Sequence, residues 1–261
     1  MHILTYFNHA GGVGKSSSVR DQGYTLSQRG FSVLLIDADP QANLSEWLGL
    51  QNEVELAQTV FPAVIENFGS GDLRLPEPSR LHGLELIPSQ LDIARLDQLL
   101  VGEFNGLVRL KNAVRKLEKY DFVLIDPPPS LGQLSSLCVI AATKIVVPVP
   151  TNSKGLRGIG TVVSMVKRYQ ELNPGLDIAM FLPTQYDSRT RHDRDSLQAI
   201  EQQLSGYATV APPLHNRPAV YKDAQIAGAP VPVYRPSDPA SSEIAAATDA
   251  LLKALRMEVK G

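Results

Sequence analysis

The segment Gly11-Gly12-Val13-Gly14-Lys15-Ser16 contains the residue types needed to grip a phosphate chain. Glycines let successive backbone N–H groups turn inward with no Cβ in the way. Lys15 supplies a cation able to reach β- and γ-phosphates, and the Ser16 hydroxyl is a ligand for Mg²⁺. The strict pattern G-x-x-x-x-G-K-[ST] is broken, because His9 stands where its first glycine belongs. Two other apolar runs end in acids: Leu34-Leu35-Ile36-Asp37-Ala38-Asp39-Pro40 and Phe122-Val123-Leu124-Ile125-Asp126-Pro127-Pro128-Pro129. Strand-end carboxylates lie at the carboxyl edge of an open α/β sheet, where such folds bind ligands. Asp126 has the form of a Walker B acid that holds Mg²⁺, usually through water. Taken singly, each aspartate serves equally well as a helix cap or a turn former. A phosphate loop, Asp-x-Asp-Pro and Asp-x-Pro-Pro in this order is hard to explain that way.

Positioning these groups requires strands running into loops. Residues 3–7, 33–36, 84–87, 122–125, 145–149 and 178–181 are short apolar runs, most without a polar face, so they read as strands buried on both sides. Helical spacing separates them, as in Ile159, Val162, Val163, Val166 and Tyr169 before the Asn173-Pro174 stop. Leu197, Ile200 and Leu204 mark a shorter helix, and a last helix spans residues 242–257 with Ile244, Ala247, Leu251 and Leu255 on one face. The helix after the phosphate loop runs to about Arg29 and is capped by Gly30. The expected fold is α/β: one P-loop NTPase domain over residues 1–261, a mostly parallel twisted sheet with helices on both faces. Residues 68–79, mixing Gly, Pro and charge, read as a surface excursion.

Composition narrows the function classes. The 261 residues are 43% hydrophobic and 20% charged, ordinary for a soluble globular chain. No apolar run approaches the ~18 residues of a membrane span, and residues 1–10 lack a signal-peptide pattern. Cys138 is the single cysteine, which fits a reducing, cytoplasmic setting and leaves no pair for a disulfide or metal cluster. The net charge of −2 gives no bulk attraction to nucleic acid. Charge is uneven, however: residues 1–150 carry 12 Lys/Arg against 16 Asp/Glu, and residues 151–261 carry 13 against 11. If DNA is bound, a local patch in the second half must do it.

Nearly the whole chain resembles the ParA/Soj-type DNA-partitioning ATPases, within the wider group that includes the positioning protein MinD. The resemblance is carried by the phosphate loop, LLIDADPQANLS at 34–45, YDFVLIDPPPSLG at 120–132, VPVPTNSKGLRGI at 147–159, YDSRT at 186–190 and AGAPVPVYRPSD at 227–238. It implies an ATPase that uses ATP and Mg²⁺. Gly11, Gly12, Val13, Gly14, Lys15, Ser16 and Ser17 would contact the nucleotide. Ser16, Asp126 and Asp39 would serve the metal, Lys15 and Asp39 would be catalytic, with Asp39 on the attacking water, and Asp37 would support the switch region. Base contacts would come from the segment Pro183, Thr184 and Gln185. The resemblance further implies a homodimer that sandwiches ATP, nucleoid association through non-specific double-stranded DNA, and stimulation by a ParB-type partner. Arg189 and Arg217 match the family's DNA-binding arginines, and Arg191, Arg194 and Lys222 lie near them in sequence. Asp187, Asp193 and Asp195 interleave with these arginines and make local ion pairs a competing use. In the family pattern K-G-G-x-G-K-[ST] the first lysine reaches across the dimer; here that position is Ala10.

Other classes fit less well. A MinD-like membrane tail would need a cationic, aromatic-bearing amphipathic helix, whereas residues 251–257 continue the apolar face of the last helix. A metabolite-modifying P-loop enzyme would need acid/base groups, and the histidines at 2, 9, 82, 192 and 215 form no cluster in sequence. No helix-turn-helix precedes the phosphate loop, so operator reading by this chain alone is not expected.

Overall fold

Among the described residues, the six expected apolar runs and two shorter segments form one eight-stranded sheet, in the order β3-β4-β2-β5-β1-β6-β7-β8. The strands are β1 (His2–Tyr6), β2 (Val33–Asp37), β3 (Ser79–Leu81), β4 (Leu84–Ile87), β5 (Phe122–Asp126), β6 (Lys144–Pro150), β7 (Asp177–Thr184) and β8 (Thr209–Val210). Every neighbouring pair is parallel except β3–β4. The computed structural model describes residues 1–50, 53–65, 73–103 and 105–259, without the side chains of residues 153, 154 and 157.

The helices are α1 (Lys15–Gln28), α2 (Asn43–Trp47), α3 (Leu96–Leu99), α4 (Arg109–Arg115), α5 (Gln133–Ala141), α6 (Ser153–Tyr169), α7 (Arg191–Leu204), α8 (Pro218–Ile226), α9 (Val231–Tyr234) and α10 (Pro239–Ala254). Alternate strand residues face opposite layers. Leu4, Tyr6, Leu35 and Leu124 pack with Val19 and Leu26 of α1 and Ile244, Ala247 and Leu251 of α10. On the other face, Ile3, Ile36 and Ile125 pack with Leu110 of α4 and Leu137 of α5, while Phe7, Ile145 and Val147 pack with Val162 of α6 and Ile200 of α7. The expected parallel sheet with helices on both faces is therefore observed. Leu251 and Leu252 are buried, so the C-terminal apolar face is core packing. Among the described residues no helix is long and apolar enough to cross a membrane.

Three differences have local causes. Strand β3 has no counterpart among the expected strands because it has three residues and an exposed Arg80; it is paired with β4 through a two-residue turn, His82-Gly83, with φ of 52° and 77°. Two positive φ values are what a tight hairpin between twisted strands requires. Helix α10 begins three residues before the expected position, because Asp238 accepts a hydrogen bond from Ala240 N (2.9 Å) with Pro239 in the first turn. Of the expected excursion 68–79, residues 68–72 fall outside the described residues, 73–78 have no regular structure, and Ser79 opens β3.

Candidate nucleotide-binding site

Strand β1 lies between β5 and β6, where the order of connections reverses, and the phosphate loop leaves its carboxyl end there. Gly12 (φ 69°) and Gly14 (φ 92°) hold conformations that a side chain would strain. Gly14 is the N-cap of α1, so the loop delivers its backbone N–H groups to the positive end of a 14-residue helix. Several bonds fix the loop from behind. Asn8 Nδ2 donates to Pro148 O (2.8 Å) and Asn8 Oδ1 accepts from Ala10 N (3.0 Å). Thr184 Oγ1 donates to Val13 O (2.9 Å), and Gln185 Nε2 donates to Gly12 O (2.6 Å). Thr184 and Gln185, expected at the base, do line the cavity, but the bonds they make hold the loop. The cause is the length of β7, which runs three residues past the expected end at 181 and brings Thr184 against the loop carbonyls.

Parallel pairing of β2 with β5 sets Asp37 directly beside Asp126. The two acids have different surroundings. Asp37 accepts from Ser45 N (2.9 Å), Ser45 Oγ (2.7 Å) and Asp39 N (3.1 Å). Burial nevertheless pushes its carboxyl up to about 7, the Ser45 bonds offsetting only part of the rise. Neither oxygen of Asp126 has a well-formed hydrogen bond, although both are buried. Burial, then the neighbouring Asp37, hold Asp126 well above the ordinary carboxylate range, with the Ser16 hydroxyl and the Lys15 ammonium pulling the other way. A cation beside Ser16 would relieve this orphaned carboxylate, so the residues fit Mg²⁺. Asp39 accepts from Gln41 N (3.0 Å); burial raises it and the Lys15 charge opposes the rise. Lys15 is itself buried, which lowers its pKa against the pull of Asp126 and Asp39, and its Nζ donates to Ala10 O (2.9 Å).

The sequence reading missed Ser45 and Ser89. Ser89 N donates to Ser45 Oγ (3.0 Å) and Ser89 Oγ to Asp39 O (2.6 Å), so this pair braces the Asp37–Asp39 segment. The only signal in the sequence was a serine eight residues after Asp37, at the start of a short helix. Lys15, Ser16, Ser17 and Asp39 open onto a cavity of about 600 Å³ that extends to Trp47, Asn216 and Tyr221. That is within the range of small-molecule sites. A smaller cavity of about 140 Å³ flanks the loop on its other side, beside His9, Ala10, Gly155 and Gly158.

The arginines expected on DNA are not gathered in one free patch. The side chain of Arg189 is 87% exposed and grips both oxygens of Asp187 (2.9 and 2.7 Å), whose carboxyl it pulls down to about 2. Arg191 is also exposed and pairs with Asp195 at 3.5 Å. Arg194 donates to Ser188 O (2.7 Å). Arg217 instead lines the large cavity and donates to Glu243 Oε1 (2.6 Å). Arg20 is fully buried on Asp21 and cannot reach a facing molecule.

A family model described as an AAA domain matches residues 1–178. The chain is similar to the "probable plasmid-partitioning protein ParA" of Thermus thermophilus, 41% identical over 231 residues, covering 85% of this chain and 69% of that protein. It is 30% identical over 241 residues to the sporulation initiation inhibitor protein Soj of Bacillus subtilis, covering 88% of this chain and 94% of that protein. Among solved structures, cobyrinic acid a,c-diamide synthase from Mycobacterium smegmatis with bound ADP and magnesium superposes with a TM-score of 0.79. That pair is 28% identical, and the match covers 100% of this chain and 99% of that one. The extent of these matches shows the family: the chain belongs to the ParA/Soj family of P-loop ATPases.

Proposed function

We propose that the chain is a DNA-partitioning ATPase that binds Mg-ATP in the large cavity, dimerises on ATP and holds double-stranded DNA without sequence preference. A ParB-type partner stimulates its hydrolysis, and its place is in the cytoplasm on the nucleoid. The observation that carries this reading is the convergence of Lys15, Ser16, Asp39 and Asp126 on one sheet edge, in a chain 41% identical to a partitioning protein. Bound Mg²⁺ supplies positive charge at the phosphate oxygens. Ser16 and Asp126 would hold it, Lys15 and the loop N–H groups would bind the phosphates, and Asp39 would orient the attacking water. Asp39→Ala should leave ATP affinity within about threefold and lower kcat by about 100-fold or more, because a water-orienting base acts in the transition state. Parallel Kd and turnover measurements decide this; a large loss of affinity would move Asp39 to ground-state binding.

DNA would be met by Arg189 and Arg191 at the start of α7, once phosphates displace Asp187 and Asp195 from them. Arg189→Glu should weaken binding equally for unrelated duplexes and lower the log–log salt slope by about 0.9 for each phosphate that the protein no longer neutralises. Binding is measured with ATP, with ADP and without nucleotide, at two or more salt concentrations. An unchanged slope makes Arg189 a surface charge satisfied by Asp187. No DNA binding in any nucleotide state removes the partition reading and favours a metabolite-modifying enzyme, the class named for the Mycobacterium smegmatis relative.

A further inference from the structure

The cavity wall formed by residues 214–218 is held by two distant parts of the chain. Tyr186, next to Gln185, fixes its backbone: Tyr186 N donates to Leu214 O (3.1 Å) and Asn216 N donates to Tyr186 O (2.8 Å). The Tyr186 and His215 rings meet edge-on, 5.1 Å apart. The other hold is a single carboxylate on α10. Glu243 Oε2 accepts from His215 N (3.1 Å), and Glu243 Oε1 accepts from Arg217 Nη2 (2.6 Å) and lies 3.0 Å from His215 Nδ1. Helix α10 is in turn tied to the phosphate-loop helix α1 by Arg29, which donates to Ala245 O (3.0 Å) and pairs with Asp249. One carboxylate thus connects α10 and, through it, α1 to the far wall of the same cavity. A wall held in this way presents its side chains to a bound molecule without an ordering cost on binding.

We propose that Glu243 is a positioning residue for the nucleotide, and that it commits Arg217 to the nucleotide cavity and not to an outer DNA surface. The inference rests on the reading that this cavity takes ATP. Glu243→Ala removes one of the two holds on the wall and takes away the carboxylate that Arg217 grips. The Kd for a fluorescent ATP analogue and the KM for ATP should both rise about tenfold, with kcat falling less than about threefold, since losing a hydrogen bond to a charged group commonly changes affinity by that order. Glu243→Gln keeps an acceptor for the His215 N–H and should recover part of the loss. Arg217→Ala combined with Glu243→Ala should be no worse than the more affected single variant, because the two act as one unit. At saturating ATP, Arg217→Ala should keep the parental salt slope for DNA.

Unchanged nucleotide affinity in both Glu243 variants, with only a lower melting temperature, would reduce the carboxylate to a structural strut. A lower DNA salt slope in Arg217→Ala at saturating ATP would return that arginine to the DNA surface. Lys15→Ala separates the two levels of failure. If it loses ATP binding while Glu243→Ala does not, only this inference falls; if it too binds normally, the nucleotide reading falls with it.

Discussion

Lys15→Ala abolishes tight ATP binding and leaves the fold in place. The ammonium is the one positive side chain inside the loop, held by Ala10 O and facing Asp39 and Asp126. ATP would exchange the Ala10 carbonyl for phosphate oxygens, turning a neutral acceptor into a charged one at little reorganisation. Removing one partner of a buried, charge-assisted pair costs about 2–5 kcal/mol, or roughly 30- to 4,000-fold in Kd. The backbone of the loop is fixed by Asn8, Thr184 and Gln185, none of which bonds to Lys15, so its geometry survives the substitution. Equilibrium titration with a fluorescent ATP analogue in Mg²⁺, beside a circular dichroism spectrum, checks both halves. Parental affinity in a folded variant overturns the phosphate-loop assignment.

The elements around Lys15 were legible because they are local. Residues 33–36 and 122–125 have no polar face, which only a strand covered on both sides tolerates, and the observed β2 and β5 are buried at every position. Glycines at 12 and 14 announce backbone that other residues avoid. What stayed hidden depends on partners distant in sequence. Asp37 was visible as a strand-end acid, but its bond to Ser45 depends on how the chain turns after Pro40. The bond from Gln185 to Gly12 spans 173 residues, and nothing at either position indicates the other. Nothing local to Arg217 announces that α10 brings Glu243 against it, 26 residues on. Strand β8, two residues long, has no periodicity to detect.

Ala10→Lys raises both turnover and the ATP-dependent dimer fraction, under the sandwich-dimer reading. Phosphoryl transfer spreads charge over the γ-phosphate oxygens, and a cation supplied across an interface contributes about 10³–10⁵ in rate in related hydrolases. An alanine methyl supplies none. The neighbouring groups do not replace it. Arg20 is fully buried on Asp21. His9 Nδ1 is buried, so that nitrogen is not presented to a facing molecule. The position tolerates a longer side chain. The main-chain bonds of Ala10, to Asn8 Oδ1 and from Lys15 Nζ, do not involve its methyl group. The cavity of about 140 Å³ beside it gives a lysine stem room before its ammonium emerges. Steady-state phosphate release should rise at least about tenfold, a small part of what a cross-interface cation supplies where it is fully engaged. Light scattering in ATP should show a larger dimer fraction at equal protein concentration. Equal rates and equal dimer fractions in the two proteins would mean that another group of the facing molecule already supplies the charge, and that the family's dimer chemistry does not carry over to this loop.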